Sequence, residues 1–180
     1  VLFSSAYQAV LPSGNVAVTP TTATVVPTSA HETDTTSSPI VLGRTLMYCA
    51  PRSEDFFGIM EMAPSPYTDS QYVSQDATPH LPKYMGGRCR FAMSSGVSSL
   101  ALVAPSGDPY SLVIHEYHWD GDEKRQQAWH QWTFPYKVQT AYFASDTITV
   151  VFGENNTVAV CILDPRAGRV QSTGERRPFL

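Results

Sequence analysis

Apolar and polar residues alternate in short runs along most of the chain, and each run ends at glycine, proline, asparagine or aspartate. Alternation of this kind marks half-buried strands, and the punctuating residues mark turns. Residues 1–11 (VLFSSAYQAVL) predict a strand pair or one bent strand, with Gly14 in the turn that follows. Residues 16–26 (VAVTPTTATVV) alternate well, but Pro20 confines them to an edge strand or two short ones. Residues 28–38 are small and polar and predict an exposed loop. Residues 40–49 predict a strand, 51–55 a turn and 56–62 the return strand, with Met60 and Met62 packed together on one core face. Residues 65–85 hold Pro66, Pro79 and Pro82 and no sustained period. They predict a long connection with one helical turn near Ala77 that Asp76 could cap. His80, between two prolines, reads as a surface or capping residue.

The pattern resumes at residues 88–93 and 99–104, turns at 105–109 and returns through 110–119. Later come 138–144, then 147–152, which turns through 153–156 into 157–163. The densest stretch is residues 111–134, which hold all three tryptophans, Trp119, Trp129 and Trp132. It reads as a strand over 112–119, a charged turn over 120–125 and a second strand over 127–134. In that second strand Ala128, His130, Trp132 and Phe134 point one way; Gln127, Trp129, Gln131 and Thr133 point the other. A helix over 123–132 competes, because Trp129 and Trp132 lie three apart. The Phe134-Pro135 break and the tryptophan-rich end suit a strand better.

Laid side by side, the hairpins repeat. Strand, polar turn, strand occurs around Leu46/Phe57, Leu102/Val113 and Val150/Val160, roughly every 50 residues, with a weaker copy at 3–10. The expected fold is therefore all-β: antiparallel four-stranded blades, β-propeller-like, in one domain over residues 1–170, with hairpins near 40–62, 99–119 and 147–163 and a polar tail over 171–180. A single twisted sheet leaves both faces open, and a neighbouring blade covers them. A β-sandwich is the rival fold.

Composition agrees with strands and turns. Charged residues make up 16 % of the 180, and serine, threonine and proline fill the space they leave. Lys+Arg 12 against Asp+Glu 16 gives a net charge of −4, a poor basis for gripping nucleic acid. Cys49, Cys89 and Cys161 are odd in number and scattered, without a CxxC, which argues against a zinc site or a disulfide framework. Each reads as a small buried apolar side chain. No apolar run approaches the ~20 residues of a membrane span. The start at Val1, without a signal peptide or initiator Met, predicts a fragment of a longer polypeptide.

Candidate chemistry is sparse. His115 and His118 lie three apart, which on a strand puts them on opposite faces, unfit for one metal ion. Asp120, Asp122 and Glu123 resemble the start of a calcium loop, but Arg125 and Gln131 stand where Gly and Glu are needed. Glu61, Glu116, Asp120 and Glu154 are the carboxylates available for glycoside chemistry, and none stands out. Asn155-Asn156-Thr157 fits a glycosylation sequon. Trp119, Trp129, Trp132, Tyr136 and Tyr142 either fill a seam between blades or form a sugar-stacking platform. No catalytic, cofactor-binding or metal residue is assigned, and no cofactor is expected.

The order of LFSSAYQAVL, GRTLMYCAPR, DATPHLPKYM and SLVIHEYHWDGDEKRQQAWHQWTF resembles the tail tubular protein B family, the nozzle proteins of short-tailed bacteriophages. The most specific piece runs from Tyr117 through Glu123 to Trp129, Trp132 and Phe134. The resemblance covers residues 1–165, whereas family members are several times longer. It implies a structural, non-enzymatic protein of the virion tail. Copies would form a ring, a hexamer in the family, below a tail adaptor ring and touching tail fibres, with viral DNA passing through the lumen unbound. A carbohydrate-binding or glycan-degrading tail module and a protein-interaction propeller are the alternatives.

Overall fold

The computed structural model describes residues 1–11, 18–65, 67, 71–121, 123–165, 169–170 and 176–177. Every regular element among them is a β-strand. Strands β1 (Leu2–Phe3), β2 (Gln8–Val10) and β3 (Val26–Ser29) form the first antiparallel sheet. The second runs in the order β4 (Ile40–Leu42), β5 (Thr45–Pro51), β6 (Phe56–Pro64), β7 (Tyr72–Asp76), and β8 (Met85–Gly86) also pairs with β6. The third contains β9 (Cys89–Ser95), β10 (Leu100–Pro105), β11 (Ser111–Asp120) and β12 (Glu123–Thr133), and the fourth contains β13 (Val138–Ala144), β14 (Thr147–Glu154) and β15 (Thr157–Leu163). A last short pair joins β16 (Arg169–Val170) to β17 (Arg176–Arg177). Apart from β8, each larger sheet is a meander in which strands adjacent in sequence pair in space.

All-β architecture is therefore what the alternation predicted, and the three main hairpins lie where expected. Strand number per sheet is uneven: three in the first and fourth, four in the third, five in the second. The chain divides into two compact units, Val1–Ala92 with Pro105–Gly107, and Met93–Ala104 with Asp108–Leu180.

In the first unit the core lies around β5 and β6. The register sets Leu46 opposite Met62, Tyr48 opposite Met60 and Ala50 opposite Gly58. This face buries Tyr48, Ala50, Met60 and Met62, with Phe3, Leu46 and Tyr72 packed on it. The Phe3 ring lies 5.1 Å from that of Tyr48, which places the first sheet against the second. The opposite face of the same strands buries Met47, Cys49, Phe57 and Ile59. With both faces covered, these strands read as near-continuous apolar runs.

A polar network sits beside this core. Gln8 is fully buried; its Nε2 donates to His31 O (2.8 Å) and Thr33 Oγ1 (2.6 Å), and its Oε1 accepts from Ser29 Oγ (2.5 Å). Buried polar groups satisfied in this way cost little. Residues 28–38 thus depart from the expected exposed loop: Thr28 and Ser29 belong to β3, and Thr33, Asp34 and Ser37 are buried. The strand expected over 16–26 begins only at Val26, because threonine hydroxyls offer a turn instead: Thr19 N donates to Thr22 Oγ1 (2.8 Å) and Ala23 N to Thr19 O (2.8 Å). Residues 16 and 17, like Gly14, lie outside the described set.

The connection expected over 65–85 also contains a strand, β7, and among its described residues turns but no helix. Asp76 does cap locally: its Oδ1 accepts from Thr78 N at 2.8 Å, closing an Asx turn. His80 is exposed.

The second unit is built on β10, buried throughout, and on the root of β11, where Leu112, Val113 and Ile114 are at most 1 % exposed. Phe134 and Phe152 (ring centroids 5.2 Å apart) and Tyr136 and Phe152 (6.4 Å) join its two sheets. β15 is different: Val158, Val160 and Ile162 are 63–71 % exposed, and the strand pairs only with β14 among the described residues. The β14–β15 turn uses Asn155 and Asn156, at φ 49° and 62°. That pair is what a two-residue hairpin turn requires, which accounts for the Asn-Asn of the sequon.

Candidate functional site

The β11–β12 hairpin holds the largest share of chemistry-bearing side chains. It is a continuous ladder from Ser111↔Thr133 to Asp120↔Glu123. The turn is tighter than the six residues expected, and Lys124 and Arg125 lie in β12. Gly121 sits in the turn at φ 60°, a backbone that disfavours any side chain. The register shifts between His118 and Trp119, leaving Arg125 as the extra residue of a bulge. No helix forms over 123–132.

Pairing sorts the side chains onto two faces. Val113, His115 and Tyr117 share one face with Gln131, Trp129 and Gln127; Leu112, Ile114, Glu116 and His118 share the other with Trp132, His130, Ala128 and Gln126. His115 is 0 % exposed and stacks on Trp129 (centroids 4.3 Å apart) and Tyr117 (5.8 Å). Its Nε2 lies 3.4 Å from Gln127 Oε1. Burial raises the Tyr117 hydroxyl above the usual tyrosine range, and that hydroxyl donates to Ser95 O at 3.5 Å. His118, on the opposite face, is exposed. The two histidines are thus separated, as a strand dictates.

The distal half of the hairpin is charged. Arg125 bridges Glu123 Oε2 (3.0 Å) and Asp120 Oδ2 (3.5 Å), and His130 Nε2 lies 3.8 Å from Glu116 Oε1. The Lys124 ammonium stands 5.5 Å from the Trp119 ring centre. Glu116, His118, Lys124, Arg125 and Gln127 line a shallow, open depression of about 670 Å³.

The other carboxylates are held elsewhere. Glu61 is buried and accepts from Thr45 Oγ1 at 2.8 Å. Glu154 Oε1 accepts from Tyr110 OH at 3.1 Å; partial burial and this bond both raise Tyr110. Glu116 and Asp120 share one strand and one face, each beside a cationic or protonatable partner. Among the described residues no group of three or more His, Cys, Asp or Glu is arranged to hold a metal ion, and no helix is long and apolar enough to cross a membrane. Trp129 packs inside its own hairpin, Tyr136 meets Phe152 with one side and is otherwise exposed, and Tyr142 is exposed.

Two features of the first unit escaped sequence reasoning. Arg52 Nη2 donates to both Asp76 oxygens (2.6 and 2.5 Å), Thr78 O (2.7 Å) and Thr78 Oγ1 (3.0 Å). Its side chain lies over Gly58, where a Cβ would come within 2.8 Å of the guanidinium carbon. Cys49 and Cys89, distant in sequence, are brought together. No local motif announces either.

Against known proteins, the model of a family described as bacteriophage nozzle protein matches residues 1–179. The tail tubular protein gp12 of Escherichia phage T7 is 26 % identical over 133 residues, covering 72 % of this chain and 17 % of that relative. The chain therefore corresponds to a small part of the length of the curated relative it matches.

Proposed function

Because the chain belongs to the bacteriophage nozzle protein family, we propose that it serves as a structural piece of a short-tailed phage tail and acts by shape rather than by reaction. Copies of the parent protein surround an axis as a ring, six by the resemblance. The lumen passes viral DNA, the upper rim meets an adaptor ring and the outer wall meets tail fibres. The meander sheets are consecutive blades of one propeller-like domain over 1–170, with 171–180 as a polar extension.

The observation that carries this reading is the family match along nearly the whole chain, on a chain whose described elements are all strands. Charge supports it: a net −4 and the exposed acids Glu116, Asp120 and Glu123 offer a duplex no grip, so DNA slides past. Three of the four candidate carboxylates, Glu61, Glu154 and Asp120, are held by Thr45, Tyr110 and Arg125, which supports a non-enzymatic role.

Electron microscopy of the full-length parent protein tests the proposal. Rings with a central channel are expected, with this chain's sheets fitting one segment of each subunit. A particle that stays monomeric at all concentrations, or hydrolysis of a glycan abolished by Glu116→Gln, would overturn it.

A further inference from the structure

Cys49 in β5 and Cys89 at the start of β9 are each 2 % exposed in the first unit. One short segment fastens both backbones. Asp34 N donates to Cys49 O at 2.8 Å, and Thr36 Oγ1 donates to Cys89 O at 3.5 Å. Asp34 Oδ1 ties the segment together, accepting from Thr36 N (3.0 Å) and Thr36 Oγ1 (2.5 Å). The two thiols face each other and share a hydrogen bond. Both are free, as is Cys161, which lies in the second unit and is half-buried.

We propose that Cys49 and Cys89 are a redox modification site, which a small peroxide converts to an intramolecular disulfide clamping β5 to the start of β9. The pair is asymmetric. The hydrogen bond from Cys49 and, more weakly, the nearby Arg90 guanidinium lower Cys89, while contact with Cys89 and burial raise Cys49 well above the thiol range. Arg90, the next residue in the chain, favours a thiolate at position 89, so Cys89 attacks first. Its thiolate attacks one oxygen of hydrogen peroxide; the O–O bond breaks and hydroxide leaves, taking up the proton that Cys89 released to give water. Cys49 sulfur then attacks the sulfenic sulfur at position 89, the S–O bond breaks, and a second water departs with the Cys49 proton. Two thiols and one peroxide give one disulfide and two waters, with two electrons passing to the peroxide. The bond closes the chain from residue 49 to residue 89, restricting the unfolded state and raising the stability of the first unit.

The whole chain, purified under reductant and then freed of it, is treated with hydrogen peroxide, alkylated in denaturant and peptide-mapped without reduction. A cross-linked Cys49–Cys89 peptide is expected, with Cys161 alkylated and with a rise in melting temperature that dithiothreitol reverses. In Cys49→Ser the sulfenic acid stays at position 89 and is trapped by dimedone added with the denaturant. Alkylation of both cysteines in the treated wild type, their separate oxidation to sulfinic acids, or a disulfide formed through Cys161 in place of this one would each overturn the proposal. The wild-type map decides whether or not the variant folds.

Discussion

The β5–β6 hairpin buries both faces along most of its length, whereas the β11–β12 hairpin does so only at its root. In the first, the one carboxylate of the paired strands, Glu61, is sealed in and satisfied by Thr45. In the second, charge gathers beyond Ile114, where neighbours cease to cover the outer face. Both begin as apolar runs around a turn. What separates a core element from a projecting one is the number of covered faces, and sequence shows it only as the point where the apolar run becomes alternation.

The largest difference is expected when one side chain in each class of site is cut back to alanine. Met62→Ala, at 0 % exposure, should lower stability by about 2–5 kcal/mol in urea unfolding. Val160→Ala, at 63 % exposure, should cost less than about 0.5 kcal/mol. Equal losses would mean that the exposed strand is covered in solution.

Ion pairs should divide in the same way. Arg52, with a side chain 19 % exposed, donates to a carboxylate and to Thr78. Arg52→Ala should cost about 1–3 kcal/mol by denaturant midpoint. Arg125, 59 % exposed and facing acids of similar exposure, should give less than about 0.5 kcal/mol when replaced by alanine, and nothing at high salt.

Gly121→Ala tests the turn alone. Placing a side chain at φ 60° should cost about 1 kcal/mol, with amide exchange accelerating in β11 and β12 and unchanged in β5 and β6.

The smallest expected effect is alkaline. Tyr48 and Tyr117 are raised above the ordinary tyrosine value, chiefly by burial. An acid whose folded pKa is raised keeps its full contribution below the unfolded value of about 10 and loses it as pH climbs through the folded one. Stability should therefore fall above about pH 10, and Tyr48→Phe or Tyr117→Phe should flatten that fall for its own unit.

Much of this architecture is legible along the chain. The runs at 40–62, 99–119 and 147–163 became hairpins because central strands must carry apolar residues and their turns need Gly, Asn or Asp. The strand over 72–76 was hidden, since an edge strand half-buries Tyr72 and Ser74 and leaves Val73 outside, the reverse of an amphipathic pattern. The buried stretch around Thr33, Asp34 and Ser37 was hidden because its polarity is answered by partners far along the chain. Within 111–134 the separation of His115 from His118 followed from strand period alone. Its bulge at Arg125 did not, because bulges are set by twist and neighbours. The junction of Cys49 with Cys89 had no local trace, as with any contact made by folding rather than by motif.

The seven residues of β15 also have a practical bearing on the bench. They include neither charge nor proline, and they present valine and isoleucine along a border with no partner among the described residues. Such a border templates the addition of further chains. Concentrated stocks of the isolated polypeptide will therefore tend to cloud and gel, and a lysine in place of Val160 should keep them clear.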